Sequence, residues 1–372
     1  ELGVSDILTS VQDSLSNIVS YEAADKPQIK VSNLTREHLR KVLTVFMGSG
    51  AYREDGTEYL TPYAHQGTGT VNTLVLSLLS IIADIKENVI FAMEEPEIAL
   101  PPHIQKRVIS TVIEKSTQAL FTSHSPYVIE EFLPDQILVI SKTNGHLTAA
   151  PAGMPPTVKM KAFREEMRRR FCESLLARRV LITEGRTEYD VYSTAAKKLQ
   201  RLHPERSCSF DLLGIALVQA NTGTQVAPLG EYYKKMGKTV YAIFDKQDDD
   251  IRKKIEVAVD YPYEATEHGI EDVVLKGVNQ EALLKYGLKL VEDNEWPSHL
   301  STEAPRAGME FEKLYKTMKA FFKHKKGDGA LAELIEYCSE SEMPKFITET
   351  IFAIEKSVYS LQTVPIMIEG EV

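Results

Sequence analysis

Short apolar runs alternate with helically spaced apolar residues between positions 176 and 250. The runs are short enough to be buried strands, and the apolar residues between them recur three and four positions apart, as on one face of a helix. The predicted strands cover residues 180–183, 212–219 and 239–244, and the predicted helices extend to residue 199 and over residues 226–235. Strands that alternate with helices indicate a parallel sheet, so we expect an α/β domain here.

The pattern after residue 250 is mostly helical. The predicted helices cover residues 268–275, 282–290, 309–322, 330–338 and 345–354. We therefore expect a mostly helical region after the parallel sheet.

The first 150 residues contain several different patterns. Helical spacing covers 7–18, 39–46, a long apolar segment at 71–85 and residues 103–115, whereas residues 48–63 have the composition of a loop. Buried-strand runs cover 89–93 and 119–122, and residues 136–148 carry the Asn-Gly turn of a hairpin. A linker rich in Pro, Ala and Gly at 149–156 and a basic helix at 159–171 follow.

Composition narrows the class of protein. The chain has 372 residues, of which 43% are hydrophobic and 26% charged, as in soluble globular proteins with two or three domains. Polar residues interrupt the apolar segment at 71–85, so we expect no membrane span. Three scattered cysteines without metal-site spacing fit a reducing cytoplasm. The net charge of −10 argues against unspecific attraction to nucleic acid, although short basic clusters leave local contact with DNA open.

Acidic residues follow two of the predicted strands. Glu184 comes directly after one strand, and Glu188 lies four positions later, on the same face of the following helix. Asp245 follows the strand at 239–244. Carboxylates that converge at the carboxyl ends of parallel strands are natural ligands of Mg²⁺ or Mn²⁺. The residues themselves therefore predict a divalent-metal site at this edge of the sheet.

A second set of motifs lies in the first 150 residues. Gly67 and Gly69 open the long apolar helix, the acids Glu94 and Glu95 end one strand, and His124 ends the next. This order resembles the signature, Walker B and His-switch elements of ABC-type ATPases. The resemblance implies that Glu94 holds Mg²⁺ through water, that Glu95 activates the attacking water, and that His124 contacts the γ-phosphate.

The phosphate-binding GxxxxGK[ST] loop of such ATPases does not occur in this sequence. Its only GK[ST] tripeptide is Gly237-Lys238-Thr239, which lacks the first glycine and precedes a strand, so we interpret it as a turn. The first part of the chain therefore looks like the C-terminal half of an ATPase head. ATP is implied for a full-length protein, and we do not expect this chain alone to turn it over.

The strand ending in Glu184-Gly185 and the later strand ending in Asp245 resemble the Toprim fold. Together with the ATPase motifs, they resemble the OLD (overcoming lysogenization defect) family of nucleases, which includes Gabija-type anti-phage nucleases. The implied fold is α/β: a Toprim parallel-sheet domain with an added helical domain, preceded by the C-terminal half of an ABC-type ATPase head. The implied boundaries are 1–150 for the ATPase part, 151–175 for a basic linker, 176–265 for the Toprim core and 266–372 for the helical region.

The resemblance also implies a function and its residues. It implies DNA nicking or cleavage with two Mg²⁺ or Mn²⁺ ions, oligomerisation through the ATPase part and a helicase-like partner. The ions would be held by Glu184, Glu188, Asp245 and Glu271, with Glu184 and Lys326 as catalytic residues. The second Asp of the family's DxD motif is Gln247 here. Either a second ion is held more weakly, or Asp248 takes over the position.

Two other functions stay open from the sequence. The chain could be a topoisomerase-like or primase-like Toprim protein, which religation of nicked DNA would indicate. It could also be a non-catalytic module for DNA binding or dimerisation, which failure to bind any divalent metal would indicate.

Overall fold

The computed structural model describes residues 4–18, 28–31, 43–86, 88–143, 145–156, 168–300, 302–326 and 328–362. The chain divides into two compact units, Glu1–Leu133 and Pro134–Val372. The hairpin at residues 136–148, which the sequence-based boundary at 150 puts with the ATPase part, is grouped with the second unit.

The first unit combines an antiparallel sheet with a parallel strand pair. Its elements are α1 (Val4–Ile18), β1 (Gln28–Val31), β2 (Leu43–Tyr52), β3 (Glu58–Pro62), α2 (Thr68–Ile85), β4 (Ile90–Glu94), α3 (Pro102–Lys115), β5 (Gln118–Thr122) and α4 (Pro126–Ile129). Strands β1, β2 and β3 form the antiparallel sheet, and β4 pairs in parallel with β5. The ends of β4 and β5 therefore lie side by side, as the motifs at Glu94 and His124 require.

Helix α2 is long and apolar enough to cross a membrane by length and composition alone. In the structure it is a packing helix of the first unit. Leu76 is buried in one hydrophobic cluster with Val108 and Val112 of α3, and Leu74 is buried in another with Val11 and Leu15 of α1.

The prediction for residues 39–63 was wrong. Instead of a helix and a loop, β2 and β3 form a hairpin, and residues 39–42 lie outside the described part. The pairing of β2 with β3 shifts register between Gly48 and Tyr52. That irregularity and the exposed tyrosines Tyr52 and Tyr59 remove the alternation of apolar and polar residues by which a strand is recognised.

The second unit contains a four-stranded parallel sheet. Its strands are β8 (Arg179–Thr183), β9 (Ile215–Gln219), β10 (Thr239–Phe244) and β11 (Tyr261–Glu264), in the order β9-β8-β10-β11. All neighbouring strands are parallel. The central strands β8 and β10 are almost entirely buried, which explains their continuous apolar runs. The carboxyl ends of these two strands meet at one edge of the sheet.

The other elements of this unit among the described residues are a hairpin, nine α-helices and two short 3-10 helices. The hairpin and the α-helices are β6 (Leu138–Thr143), β7 (His146–Pro151), α5 (Arg168–Leu176), α6 (Arg186–Leu202), α7 (Gly223–Lys235), α8 (Asp249–Ala258), α9 (Ile270–Gly277), α10 (Gln280–Glu292), α11 (Phe311–His324), α12 (Ala330–Tyr337) and α13 (Lys345–Gln362). The predicted basic helix at 159–171 lies within the described part only from residue 168. Strand β11 was not predicted, because its four residues include Pro262 and show no apolar run.

The added helices share one hydrophobic core with the sheet. A single buried cluster includes Leu181 of β8, Tyr241 of β10 and Val191 of α6, together with Leu334 of α12 and Ile351 of α13. The Nζ atom of Lys198, on α6, donates to the carbonyl oxygen of Ile335 at 3.0 Å near the end of α12. The helical region is thus packed onto the parallel sheet, which brings its side chains within reach of the strand ends.

Candidate metal centre

Glu184 and Asp245 lie next to each other at the carboxyl edge of the sheet. Strands β8 and β10 are paired so that Thr183 lies opposite Ile243. The residues that follow the two strands therefore meet, and the backbone N–H of Asp245 donates to Oε2 of Glu184 at 3.2 Å. The structure thus brings together two carboxylates that are 61 positions apart in the chain.

Glu188 joins them from the first turn of α6. Its side chain is buried, with 7% of the residue exposed. Gly185 makes room for it: a Cβ atom at position 185 would lie 2.8 Å from Oε2 of Glu188. The glycine of the Glu-Gly motif is therefore required by the close approach of the Glu188 carboxylate, since the backbone of Gly185 itself is extended.

The carboxylates influence one another electrostatically. Burial raises the pKa of Glu188, and the charges of Glu184 and Glu271 raise it further. Burial and the charges of Glu188, Glu184 and Glu271 raise the pKa of Asp245 to about 7. The charge of Lys326 acts in the opposite direction on both groups. Four acidic side chains and one lysine thus occupy a single electrostatic environment.

Glu271 and Lys326 come from the helical region. Glu271 lies in the first turn of α9, and Lys326 follows the end of α11. The Nζ atom of Lys326 lies 3.7 Å from Oε1 of Glu271, and the lysine side chain is 68% exposed. The preceding lysine, Lys325, pairs instead with Asp328 at 3.7 Å. Lys326 is therefore the lysine that the structure places beside the carboxylates.

A clamp next to Glu271 fixes α9 to α11. Oδ1 of Asp272 accepts a hydrogen bond from the Tyr315 hydroxyl at 2.6 Å and pairs with Nζ of Lys319 at 2.6 Å. Both partners belong to α11, which leads to Lys326. Sequence reasoning missed this clamp, because an acid beside a candidate ligand and a lysine on a helix surface carry no signal of their own.

Gln247 and Asp248, the two residues that bear on the missing Asp of the DxD motif, lie in different surroundings. Nε2 of Gln247 donates to Oε2 of Glu184 at 3.1 Å, so the amide adjoins the carboxylates. Asp248 is an exposed residue that precedes α8, and its described contacts are the hydrogen bonds that its backbone carbonyl accepts from Ile251 and Arg252. The structure thus brings Gln247, and not Asp248, to the cluster.

The donor set fits a hard divalent cation. Within the described residues, no three His, Cys, Asp or Glu side chains are already close enough together to enclose an ion. However, carboxylate oxygens are the ligands that Mg²⁺ and Mn²⁺ prefer, and a cation among mutually repelling, partly buried carboxylates relieves that repulsion. The residues that would hold it are Glu184, Glu188, Asp245 and Glu271.

The ATPase motifs converge in the first unit. Glu94 ends β4, and Nε2 of His124 lies 3.6 Å from Oε1 of Glu95. Glu95 has a positive φ of 45°, a strained conformation for a residue with a side chain. Gly69, in the first turn of α2, is required by packing, because a Cβ atom there would lie 2.5 Å from the carbonyl oxygen of Ala99. At Gly67, by contrast, no described atom lies within 4 Å of such a Cβ.

Glu97 links the two motifs and was missed by sequence reasoning. Its Oε1 atom accepts hydrogen bonds from the Ser123 hydroxyl at 2.8 Å and from the backbone N–H of His124 at 2.7 Å. The last acid of Glu94-Glu95-Pro96-Glu97 is therefore the group that fixes the start of the histidine loop. Its position in an acidic run was the available signal.

The Gly237-Lys238-Thr239 tripeptide is a structural turn. Gly237 has a φ of 73°, which favours glycine. Lys238 is 6% exposed, and its Nζ atom donates to the carbonyl oxygen of Leu175 at 2.7 Å and also to that of Ala177. The lysine thus satisfies carbonyl groups at the end of α5 and does not point into a phosphate-binding loop.

Comparisons with known proteins agree with these motifs. Residues 4–129 match the family described as AAA ATPase domain, and residues 175–246 match the TOPRIM domain of overcoming lysogenization defect (OLD) protein-like proteins. No curated protein matches the chain.

Solved structures show weaker likenesses. The C-terminal region of the Xanthomonas campestris pv. campestris OLD protein is 16% identical, with 51% of this chain and 98% of that one covered and a TM-score of 0.35. The corresponding region of the Burkholderia pseudomallei OLD protein is 17% identical, with 49% and 98% covered and a TM-score of 0.33. A structure from work on ATP-driven dimerization and DNA stimulated activation of SMC ATPases is 12% identical, with 39% and 84% covered and a TM-score of 0.28. The two family matches confirm the resemblance that the motifs indicate: this chain combines an AAA ATPase domain with an OLD-like TOPRIM domain.

Proposed function

We propose that the TOPRIM part of this chain is a Mg²⁺- or Mn²⁺-dependent endonuclease that hydrolyses phosphodiester bonds of DNA. The observation that carries this proposal is the convergence of Glu184, Glu188, Asp245 and Glu271 at one edge of the sheet, with Lys326 beside Glu271. A bound divalent ion supplies Lewis-acid activation of water and of the phosphate in such chemistry. The carboxylates of this chain would hold and orient it.

Lys326 is suited to act on the phosphate. Its side chain is mostly exposed, and it follows the end of α11, while Glu271 holds the ammonium near the carboxylates. Charge that builds up on phosphate oxygens is stabilised by a cation that is already in place. Lys326 would therefore neutralise the phosphate, whereas the acids hold the ion.

A plasmid assay tests the proposal. Supercoiled DNA is incubated with the chain in Mg²⁺, Mn²⁺, Ca²⁺ or EDTA, and the supercoiled, nicked and linear forms are separated. We expect cleavage with Mg²⁺ or Mn²⁺, none with EDTA, and none for Glu184→Ala. A matched control is Asp211→Ala, because Asp211 is an exposed acid that precedes β9 and so belongs to the opposite edge of the sheet. Undiminished cleavage by Glu184→Ala would end the proposal.

Strand transfer is the alternative to hydrolysis. It requires an accessible tyrosine at the site: Tyr192, one helical turn after Glu188, is completely buried and unsuited to this role, whereas Tyr189 is half-buried. Religated products in the same plasmid assay would favour the topoisomerase-like alternative.

For the first unit, we propose an ATPase role that needs a phosphate-binding loop from outside this chain. Glu94, Glu95 and His124 lie together, but the sequence contains no GxxxxGK[ST] loop and Lys238 is engaged elsewhere. Phosphate release by this chain above background, lost in Glu95→Gln, would contradict this. Dimerisation through the ATPase part, a helicase-like partner and a cytoplasmic location also remain proposals.

A further inference from the structure

Gln247 contacts the carboxylate cluster through a hydrogen-bond donor. Its backbone N–H donates to Oε1 of Glu264 at 2.9 Å, and its side-chain Nε2 donates to Oε2 of Glu184 at 3.1 Å. An ionised carboxylate only accepts hydrogen bonds, so the NH₂ group of the amide, and not its oxygen, must face Glu184. The residue thus presents the positive end of its amide dipole where an aspartate would present negative charge.

The position of this amide is built into the fold. A Cβ atom at Gly223, in the first turn of α7, would lie 2.7 Å from Nε2 and 2.8 Å from Oε1 of Gln247. The missing side chain at 223 therefore provides the space that the Gln247 amide fills. Anchored by Glu264 through its backbone and confined by Gly223, the amide is held against Glu184.

The amide changes what Glu184 can bind. Oε2 of Glu184 accepts two N–H groups, from the backbone of Asp245 at 3.2 Å and from Gln247 at 3.1 Å. Together these N–H groups use both lone pairs of the oxygen, so a cation bound there would have to displace one of them. The Asp245 N–H belongs to the backbone at the end of β10, so the Gln247 side chain is the group that would have to turn away. Oε1 of Glu184 and the carboxylates of Glu188, Asp245 and Glu271 remain for a cation.

We propose that the TOPRIM site of this chain holds one divalent ion instead of two, because the Gln247 amide takes the place of a cation at Oε2 of Glu184. This inference rests on the proposed metal-dependent function. The family resemblance implies two bound ions, and we attribute the lower number to Gln247.

The test counts bound ions instead of measuring cleavage. Mn²⁺ is titrated into the full chain in a calorimeter, and free Mn²⁺ is followed in parallel by electron paramagnetic resonance. We expect about one ion per chain for the parent and about two for Gln247→Asp, which removes the donor and adds a carboxylate oxygen ligand. Gln247→Asn is the matched neutral control, since its amide has the same size as the new acid. Its side chain is one methylene shorter than that of Gln247 and loses the contact with Oε2 of Glu184, so any second ion should bind more weakly than in Gln247→Asp.

The number of bound ions tests the inference and the proposed function separately. Two ions in the parent would overturn the inference and leave the proposed function intact. One ion in the parent and in a folded Gln247→Asp variant would overturn the role of Gln247. If Gln247→Asp is unfolded by circular dichroism, Gln247→Ala replaces it, and a second, weaker ion is then expected because the blocking N–H is gone. No binding by the parent, with the same result for Glu184→Ala, would remove the proposed function itself.

Discussion

The ammonium group of Lys326 lies 3.7 Å from Oε1 of Glu271, so the turn after α11 reaches the carboxylates at the end of the parallel sheet. The two residues are 55 positions apart, and Glu271 belongs to the first turn of a helix that follows the sheet. The helical region therefore contributes charged side chains to the site, in addition to sharing a hydrophobic core with the sheet.

The first prediction concerns Lys326 itself. We expect Lys326→Ala to slow DNA cleavage about a hundredfold, because it removes a cation placed to stabilise charge on the phosphate. Mn²⁺ binding should remain close to that of the parent, since an ammonium group is not a metal ligand. Lys323→Ala and Lys325→Ala are matched controls on the same helix end. If either control loses cleavage while Lys326→Ala cleaves normally, the role belongs to that other lysine and not to Lys326.

A second prediction tests the space at Gly185. A methyl group at this position would lie 2.8 Å from Oε2 of Glu188. Since the atom it meets is the end of a side chain, we expect Gly185→Ala to fold with little loss of stability but to displace the Glu188 carboxylate. Mn²⁺ affinity should then fall about tenfold, the usual scale for disturbing a ligand's support. Gly67→Ala, where no described atom lies within 4 Å of the new methyl group, is the control. Unchanged Mn²⁺ affinity in Gly185→Ala would mean that Glu188 does not bind the ion.

Much of this site was predictable from the chain. Strands β8 and β10 are buried on both faces, so their apolar runs were visible, and the acids after them, Glu184 and Asp245, followed from the rule that ligands bind at the carboxyl ends of parallel strands. The helix predicted to begin near Ala330 does begin there, after Gly329 with a φ of 80°.

The features that were not predicted depend on distant parts of the chain. The Gln247 amide reaches Glu184 only because β8 and β10 pair in one register and because Gly223 leaves space. Glu97 contacts Ser123 across 26 positions, and no local pattern specifies such a contact. β11 escaped detection because a short strand at a sheet edge, containing Pro262, lacks the periodicity of a buried strand.

The third prediction concerns pH. Burial and neighbouring carboxylates raise the pKa of Asp245 to about 7, well above the value of 3.8 for an unperturbed aspartate. A raised pKa means that the folded state favours the protonated acid, so Asp245 lowers the stability of the metal-free protein as the pH rises from about 4 to about 7. Asp245→Asn removes this effect. In EDTA, the melting temperature of the variant minus that of the parent should increase over this pH range and level off above it.

A control variant tests whether the pH effect is specific to Asp245. Asp248→Asn changes an exposed acid three positions away, outside the cluster, and the difference in its melting temperature from that of the parent should not vary in the same way. A pH-independent difference for Asp245→Asn would show that the pKa of Asp245 is the same in the folded and unfolded protein, and so that burial and the neighbouring carboxylates do not raise it.

The last prediction concerns Glu97 in the first unit. Its Oε1 atom holds the Ser123 hydroxyl and the backbone N–H of His124, at 2.8 and 2.7 Å. We expect Glu97→Ala to free residues 123–125, the loop that carries His124. Glu97→Gln keeps an acceptor oxygen of similar reach, so it should retain most of the hydrogen bonding to this loop. The measurement is hydrogen–deuterium exchange of the peptide that contains residues 123–125. Losing a hydrogen bond to a charged group costs about 1.5–3 kcal/mol, so exchange in Glu97→Ala should be faster by about tenfold or more. Ser123→Ala removes the hydroxyl bond to Glu97 and also the acceptor of the Ser125 N–H, which donates to the Ser123 hydroxyl at 3.0 Å. Exchange at Ser125 should therefore become faster in this variant, while the His124 N–H stays protected. Equal exchange in Glu97→Ala and the parent would show that the loop is fixed by the pairing of β4 and β5 and not by this glutamate.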